Sequence, residues 1–322
     1  MVNIILPKEE SRPLSFYLAM EEYIARHIDV DEAFFIWQVE SSVILGRNQL
    51  AENEVNISYC KQNGVKIFRR KSGGGCVYAD KSNMMLAYIT NSDNVNFTYH
   101  KYITMVTQAL RRLGIPATAN GRNDILIEGR KVSGNAFYHL PGRSIVHGTL
   151  LYDTDMRNMM KCITPESAKL ESKGVDSVRQ RITLLKEHTQ LSLQEIREFL
   201  ISFLCDKRVV LSDDDIKGIA ELEREYASAD FIFNKSPQHT VVKKKQFDGV
   251  GTLEVSMDVK NNIIKNIEIK GDYFPLGDVD GLCEMLRGTN LTTADLEKVI
   301  PDNLDELIMN LNKYLLITLI IE

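Results

Sequence analysis

The chain has 322 residues, 44% of them hydrophobic and 26% charged, which is enough to bury a full core in one large domain, or in a large domain with an appendage. A formal charge of −5 argues against nucleic acid as a partner, and no run reaches the ~18 uninterrupted apolar residues of a membrane span. Five cysteines at irregular spacing, Cys60, Cys76, Cys162, Cys205 and Cys283, contain no C-x-x-C pair, a pattern that points away from zinc and toward a reducing, cytoplasmic setting.

In chain order, Met1 to Leu18 mixes Lys8, Glu9, Glu10 and Arg12 with apolar residues and reads as neither a signal nor a transit peptide. Helical spacing follows from Ser15 to His27 (Phe16, Ala19, Met20, Tyr23, Ile24), with Ser11 or Ser15 as the expected cap. Phe34 to Val39 and Ser42 to Gly46 read as a strand pair. Val65 to Phe68 reads as a strand, and Cys76 to Tyr78 with Met84 to Ile89 as its continuation, so the intervening Arg69-Arg70-Lys71-Ser72-Gly73-Gly74-Gly75 is expected at a bend inside a sheet. Three glycines remove every Cβ and let backbone N–H groups close around an anion, with arginine adding forked charge-assisted bonds. A basic surface turn is the other reading. Neither a Walker loop nor a dinucleotide fingerprint is present.

Residues 99 to 113 read as an amphipathic helix ending at Gly114. Gly121 to Ala136 then reads as a hairpin turning at Glu128-Gly129. A plain two-residue turn sets Leu126 opposite Lys131 and Asp124 opposite Ser133, so Asp124, Lys131 and Ser133 share one face. A strand lysine of this kind is either aimed at developing charge or solvated at an edge. His147-Gly148-Thr149 lies on a further strand. Two helices, 191–205 and 213–227, lead to a boundary near Asn234 to Gln238, and Lys243-Lys244-Lys245 reads as a solvated linker. Beyond it Gly251 to Val259 and Ile263 to Ile269 alternate as a hairpin, opening a small α+β module. The apolar run Tyr314 to Ile321 is too short to cross a bilayer and is expected in a core.

Taken together, R-R-x-S-G-G-G (Arg69 to Gly75), G-R-N-D (Gly121 to Asp124), G-x-K-x-S-G-x-A (Gly129 to Ala136) and H-G-T-L-L (His147 to Leu151) stand here in order. In that set the chain resembles the lipoate-protein ligase family. Leu45 to Gln49, Glu54 to Asn56 and Ser172 to Arg181 extend the resemblance over most of the chain.

The resemblance implies an α+β fold of mixed and antiparallel sheets, with a biotin ligase-like and class II aminoacyl-tRNA synthetase-like catalytic domain (1–240) and a small accessory domain (246–322). It also implies a reaction: ATP with Mg2+ activates lipoate, or octanoate, to an acyl-adenylate. The acyl group then passes to a lysine on lipoyl domains of 2-oxoacid dehydrogenase E2 subunits or the glycine cleavage H protein, with the enzyme a monomer. Lys131 matches the lysine that contacts the carboxyl and phosphate oxygens. Arg70, Ser72, Gly73, Gly74, Gly75 and Val77 match the loop along the acid, and Asn123 and Asp124 the phosphate side, Asp124 with the metal. Ser133, Ala136, His147 and Thr149 fall in the same cleft, and Lys173, Ser177, Arg179 and Arg181 in a loop over the nucleotide. Cys76 and Ala79 depart from the family pattern. The rival readings are an ATP-independent octanoyl or lipoyl transferase, whose cysteine would fall near Pro116 to Asn120 where this chain has none, biotin ligase, whose glycine loop interleaves arginines, and a non-enzymatic acyl-binding protein.

Overall fold

The computed structural model describes residues 1–8, 10–49, 51–92, 94–120, 123–163, 181–233, 241–260 and 262–321. The chain opens with β1 (Val2–Ile5), α1 (Leu14–His27), β2 (Glu32–Trp37), β3 (Ser42–Leu45), α2 (Ala51–Glu54), α3 (Ile57–Gln62), β4 (Lys66–Arg69), β5 (Val77–Ala79) and β6 (Asn83–Thr90). It continues through α4 (Val95–Arg112), β7 (Ala117–Ala119), β8 (Asp124–Ile127), β9 (Arg130–Leu140), β10 (Arg143–Leu151), α5 (Met156–Cys162), α6 (Leu193–Leu204), β11 (Lys207–Val210), α7 (Asp213–Tyr226) and α8 (Ala229–Phe233). The last elements are β12 (Val241–Phe247), β13 (Gly251–Lys260), β14 (Ile263–Gly271), α9 (Val279–Leu286), α10 (Thr293–Val299) and α11 (Lys313–Ile321).

An eight-stranded sheet in the order β11-β1-β2-β6-β10-β9-β8-β7 forms the body. Its first three strands are parallel and the rest antiparallel. Strand alternation splits the core in two. Phe34, Ile36, Leu86 and Tyr88 pack with α4 and α6, while Ala33, Phe35, Trp37, Ala87 and Ile89 pack with α1 and α7. Because both faces are covered, β2 and β6 read as near-continuous apolar runs. Helix α1 is capped by neither expected serine. Pro13 stands at its N-cap without a side-chain bond, and the Ser15 hydroxyl instead donates to Glu223 Oε1 at 2.7 Å, tying α1 to α7.

Two expectations about pairing are corrected. Strands β2 and β3 do not pair: β3 is the centre of a separate sheet, β4-β3-β5, parallel to β4 and antiparallel to β5. The glycine segment is therefore no bend within a continuing strand. It crosses over the end of β3 from one edge strand to the other, and β6 beyond it returns to the large sheet.

The third sheet, β12-β13-β14, is antiparallel and shares a core with α9, α10 and α11, where Leu316, Ile317, Leu319 and Ile320 of the terminal run are buried. Lys243 to Lys245 is not a linker but lies on β12, with Lys243 Nζ donating to the Ile320 carbonyl at 2.7 Å. This sheet begins at Val241, five residues before the expected start of the small domain. Among the described residues no helix is long and apolar enough to cross a membrane.

Candidate active site

The two arginines of the glycine loop are buried, 2% and 5% exposed, which rules out a basic surface turn. They are also spent internally. Arg69 donates to the carbonyls of Gly46, Arg47, Gln49, Phe231 and Ile232. Arg70 donates to those of Gly73 (2.6 Å), Gly75 (2.8 Å) and Ile44 (3.1 Å), curling the loop around its own guanidinium. Desolvation pulls the Arg70 pKa down to about 10. Lys71 points away, to Glu22 at 2.9 Å and Glu225 at 2.7 Å. The glycines answer to close approaches of protein as well as to any ligand. A Cβ on Gly73 would fall 2.5 Å from the Tyr273 carbonyl oxygen and 2.6 Å from Pro275 Cδ, and one on Gly46 would fall 2.0 Å from the Gly74 oxygen. The Gly74 N–H donates to the Tyr273 carbonyl at 3.2 Å, so the third sheet's module is stitched to the loop.

On the hairpin, Glu128 and Gly129 take positive φ (52° and 76°), as a two-residue turn requires. The plain register fails one step later. A bulge between Ile125 and Leu126 sets Ser133 opposite Ile125 and Asp124 opposite Gly134. Lys131 and Asp124 still meet, with Nζ 2.7 Å from Oδ1. Among the described residues that oxygen has no aligned hydrogen bond, so the pairing is by charge and distance. Ser133 is fully buried, donating to Asn135 Oδ1 at 3.2 Å. Gly134 gives the lysine its path, since a Cβ there would lie 2.8 Å from Lys131 Cε and Nζ. The Lys131 backbone is held as well, its N–H donating to the Arg181 carbonyl at 2.7 Å and its carbonyl accepting from Thr183 N–H at 2.9 Å.

These elements enclose one cavity. Leu18, Trp37, Ile44, Val77, Met85, Ala136 and Phe274 give it apolar walls, and Arg70, Gly74, Gly75, Asn123, Lys131, Asn135, His147 and Thr149 supply polar groups. Thus nine of the residues singled out in the sequence, Arg70, Gly74, Gly75, Val77, Asn123, Lys131, Ala136, His147 and Thr149, line it. Ser72, Gly73, Asp124 and Ser133 are not part of this lining, Asp124 meeting it through Lys131 Nζ. Ser72 Oγ lies 2.7 Å from His147 Nε2, and His147 Nδ1 lies 2.6 Å from Glu21 Oε2. Gly121, Arg122, Lys173, Ser177 and Arg179 lie outside the described residues. Cys76 also lines the cavity, with its thiol pKa pushed far up by burial and then by Glu54.

Sequence reasoning missed most of the apolar wall (Leu18, Trp37, Ile44 and Met85), Asn135 and Phe274. Asn135 is 3% exposed and donates through Nδ2 to the Asn123 carbonyl at 3.0 Å, tying β9 to the Asn123 turn. Its partner glycine was legible in H-G-T: a Cβ on Gly148 would fall 1.8 Å from Asn135 Oδ1. Phe274 arrives from the distant module and stacks on Phe137, centroids 5.9 Å apart. No pattern within the first 240 residues could announce it.

The lipoyl protein ligase A/B catalytic domain family matches residues 13–204, more than half of the chain, and the bacterial lipoate protein ligase C-terminus matches residues 236–320. Lipoate-protein ligase LplJ of Bacillus subtilis is 32% identical over 295 residues, 88% of this chain and 89% of that protein. Lipoate–protein ligase 1 of Staphylococcus aureus is 32% identical over 84% of this chain and 85% of its own length. In fold, P. falciparum LipL1, solved in complex with lipoate, superposes with a TM-score of 0.79 at 21% identity over 96% of this chain and 95% of its own. A lipoate-protein ligase A bound with ATP gives 0.63 at 23% identity, over 72% of this chain and 98% of its own. With both domains matched in order and identity of about a third over nearly its whole length, the chain belongs to the lipoate-protein ligase family.

Proposed function

We propose that the chain is an ATP-dependent lipoate-protein ligase. The lipoate carboxylate attacks the α-phosphate of ATP, giving lipoyl-adenylate and pyrophosphate, and a lysine amine of the acceptor then attacks the mixed anhydride and releases AMP. The observation that carries this reading is Lys131, a fixed cation laid over Gly134 where an apolar cavity turns polar. A held ammonium at that point can stabilise charge as it develops on carboxyl and phosphate oxygens. The apolar wall suits an eight-carbon chain, so octanoate fits the same walls. Gly74 and Gly75 bring bare backbone beside the acid, with Val77, Ala136, His147 and Thr149 around it and Asn123 toward the nucleotide.

Among the described residues no group of three His, Cys, Asp or Glu side chains could hold a metal ion. That suits Mg2+, which binds through one or two carboxylates together with substrate phosphates. Asp124 would hold it, and the ion would offset phosphate charge; its Oδ1 is already paired by charge with Lys131 Nζ at 2.7 Å, so Oδ2 is the oxygen that would serve. Residues 1–240 would act as the catalytic unit and 246–322 as its accessory, in a cytoplasmic monomer whose acceptors are lipoyl domains of E2 subunits or the H protein. The acceptor reading is supported by a Thermoplasma acidophilum bi-partite ligase of similar fold, described with its E2 lipoyl domain. A thioester route through Cys76 has less support, because burial keeps that thiol protonated.

The test is lipoate-dependent exchange of labelled pyrophosphate into ATP with magnesium and no acceptor. Exchange is expected; a folded, lipoate-binding protein that gives none would overturn the reading.

A further inference from the structure

Ser72, His147 and Glu21 form a continuous chain of contacts, 2.7 Å from Ser72 Oγ to His147 Nε2 and 2.6 Å from His147 Nδ1 to Glu21 Oε2. All three are buried, at 0%, 6% and 0% exposed. They come from three separate elements: the glycine loop, the centre of β10 and the middle of α1. The order serine, histidine, acid is the one used for nucleophilic catalysis, but here the serine cannot serve as the nucleophile. Ser72 is fully buried and stands behind the cavity wall rather than on it, so its oxygen does not face a bound acyl carbon.

The polarity of the chain follows from chemistry. A carboxylate has no proton to give, so Nδ1 of the ring donates to Glu21. In that Nδ1–H tautomer the ring offers a lone pair at Nε2, and the Ser72 hydroxyl donates to it. Glu21 is not otherwise rewarded for its burial, since its second oxygen, Oε1, finds no hydrogen-bond partner among the described residues. A half-satisfied buried carboxyl is costly. The fold bears that cost where the other oxygen fixes the ring.

The consequence lies in the loop. Ser72 is bracketed by backbone ties to the small sheet, with Arg47 N–H donating to the Ser72 carbonyl at 2.9 Å, and to the distal module through Gly74. His147 adds a tie to the eight-stranded sheet. We propose that Glu21 and His147 are positioning residues for the activation step: Glu21 holds His147 in the Nδ1–H tautomer, and His147 through Ser72 holds the glycine loop in the shape that receives the acid. This rests on the ligase reading above.

Three single variants, one double variant and one spectrum test it. Glu21→Met, of similar length but without an acceptor, is expected to raise the KM for lipoate in pyrophosphate exchange about tenfold, with kcat changed less than about threefold. Glu21→Gln, which keeps an acceptor oxygen, restores most of that loss. Ser72→Ala alone also raises KM about tenfold. Combined with Glu21→Met it adds little, because both break one chain, whereas independent residues would multiply to about a hundredfold. Nitrogen-15 NMR of the wild-type imidazole, which needs no variant to fold, is expected to show Nδ1 protonated. The Nε2–H tautomer, multiplicative losses, or a fall in kcat at unchanged KM would each overturn the inference while leaving the ligase reading standing. A wild-type protein without exchange would sink the reading and the inference with it.

Discussion

Two cationic segments face one cavity, and they use their charge in opposite ways. In the glycine loop Arg69, Arg70 and Lys71 are consumed by the protein: the arginines by eight carbonyl groups of the loop and its surroundings, the lysine by Glu22 and Glu225. On the hairpin Lys131 has, among the described residues, one carboxylate, Asp124, and keeps its side chain 38% exposed at the cavity. The difference follows from local supply. A loop that doubles back presents carbonyl oxygens with no ladder partner, and buried guanidinium groups satisfy them. On the hairpin, backbone N–H groups satisfy the carbonyls, that of Lys131 included, and leave the cation for something else. Charge density in a motif therefore indicates where cations stand, not what they bind.

The largest effect that would sharpen this contrast is expected at Lys131. Lys131→Ala should lower lipoate-dependent pyrophosphate exchange by about 10²–10³-fold, the scale of removing one electrostatic stabiliser. Stability should hardly change, because a partly exposed ion pair contributes at most about 1 kcal/mol. A variant that exchanges normally would break the comparison at its hairpin end. Arg70→Met should do the reverse. The carbonyls of Ile44, Gly73 and Gly75 would lose a buried donor, and urea denaturation should show a loss of about 2–4 kcal/mol. Unchanged stability with weakened lipoate binding would mean that the loop cation serves the ligand after all.

How much of this could be read in the sequence depends on the range over which each feature is determined. The turn at Glu128-Gly129, the end of α4 at Gly114 and the β13/β14 hairpin are local and were legible. The bulge near Ile125 was not, because nothing in Asp124 to Ser133 marks where one residue is skipped. The switch of β3 into its own sheet was also hidden, since period-two patterning gives a strand its faces but not its partner. Glu21 left a trace: a carboxylate among Phe16, Ala19, Met20 and Ile24 is out of place on an apolar helix. Its partner His147 is 126 residues away, so the trace could be seen without being interpreted. A comparable separation from Phe137 hid Phe274.

Lys71 offers a smaller test at the loop end. Burial pushes the Glu22 carboxyl upward, but hydrogen bonds from Lys71, Tyr226 and Arg26 together outweigh it and hold its pKa below the ordinary value. The stability it contributes is therefore present above the unfolded carboxylate value and is lost as the pH falls through the lower, folded one. Lys71→Met should cost about 1–2 kcal/mol at neutral pH and flatten the decline in stability on acidification, measured as thermal midpoints between about pH 6 and about pH 3. An unaltered acid profile would show that Lys71 is not what holds Glu22 charged.

Cys76→Ala is expected to have the smallest effect, and it separates the cations from the nucleophile most cleanly. The thiol lines the cavity beside Gly75, where a sequence reader looks for an attacking group. For that role it must ionise, and its surroundings oppose this: burial is the leading cause of its raised pKa, Glu54 adds to it, and the nearby Arg70 guanidinium, already saturated by carbonyls, offsets only part. A protonated, half-buried thiol behaves as a small apolar side chain. Alanine removes one sulfur from a wall that Ile44 and Val77 also form, so exchange and acceptor transfer should both stay within about threefold of wild type. Loss of transfer with exchange intact would require a thioester between the two half-reactions. The arginines of the loop would then have a second task, holding a thiolate, and the contrast with the hairpin would fail.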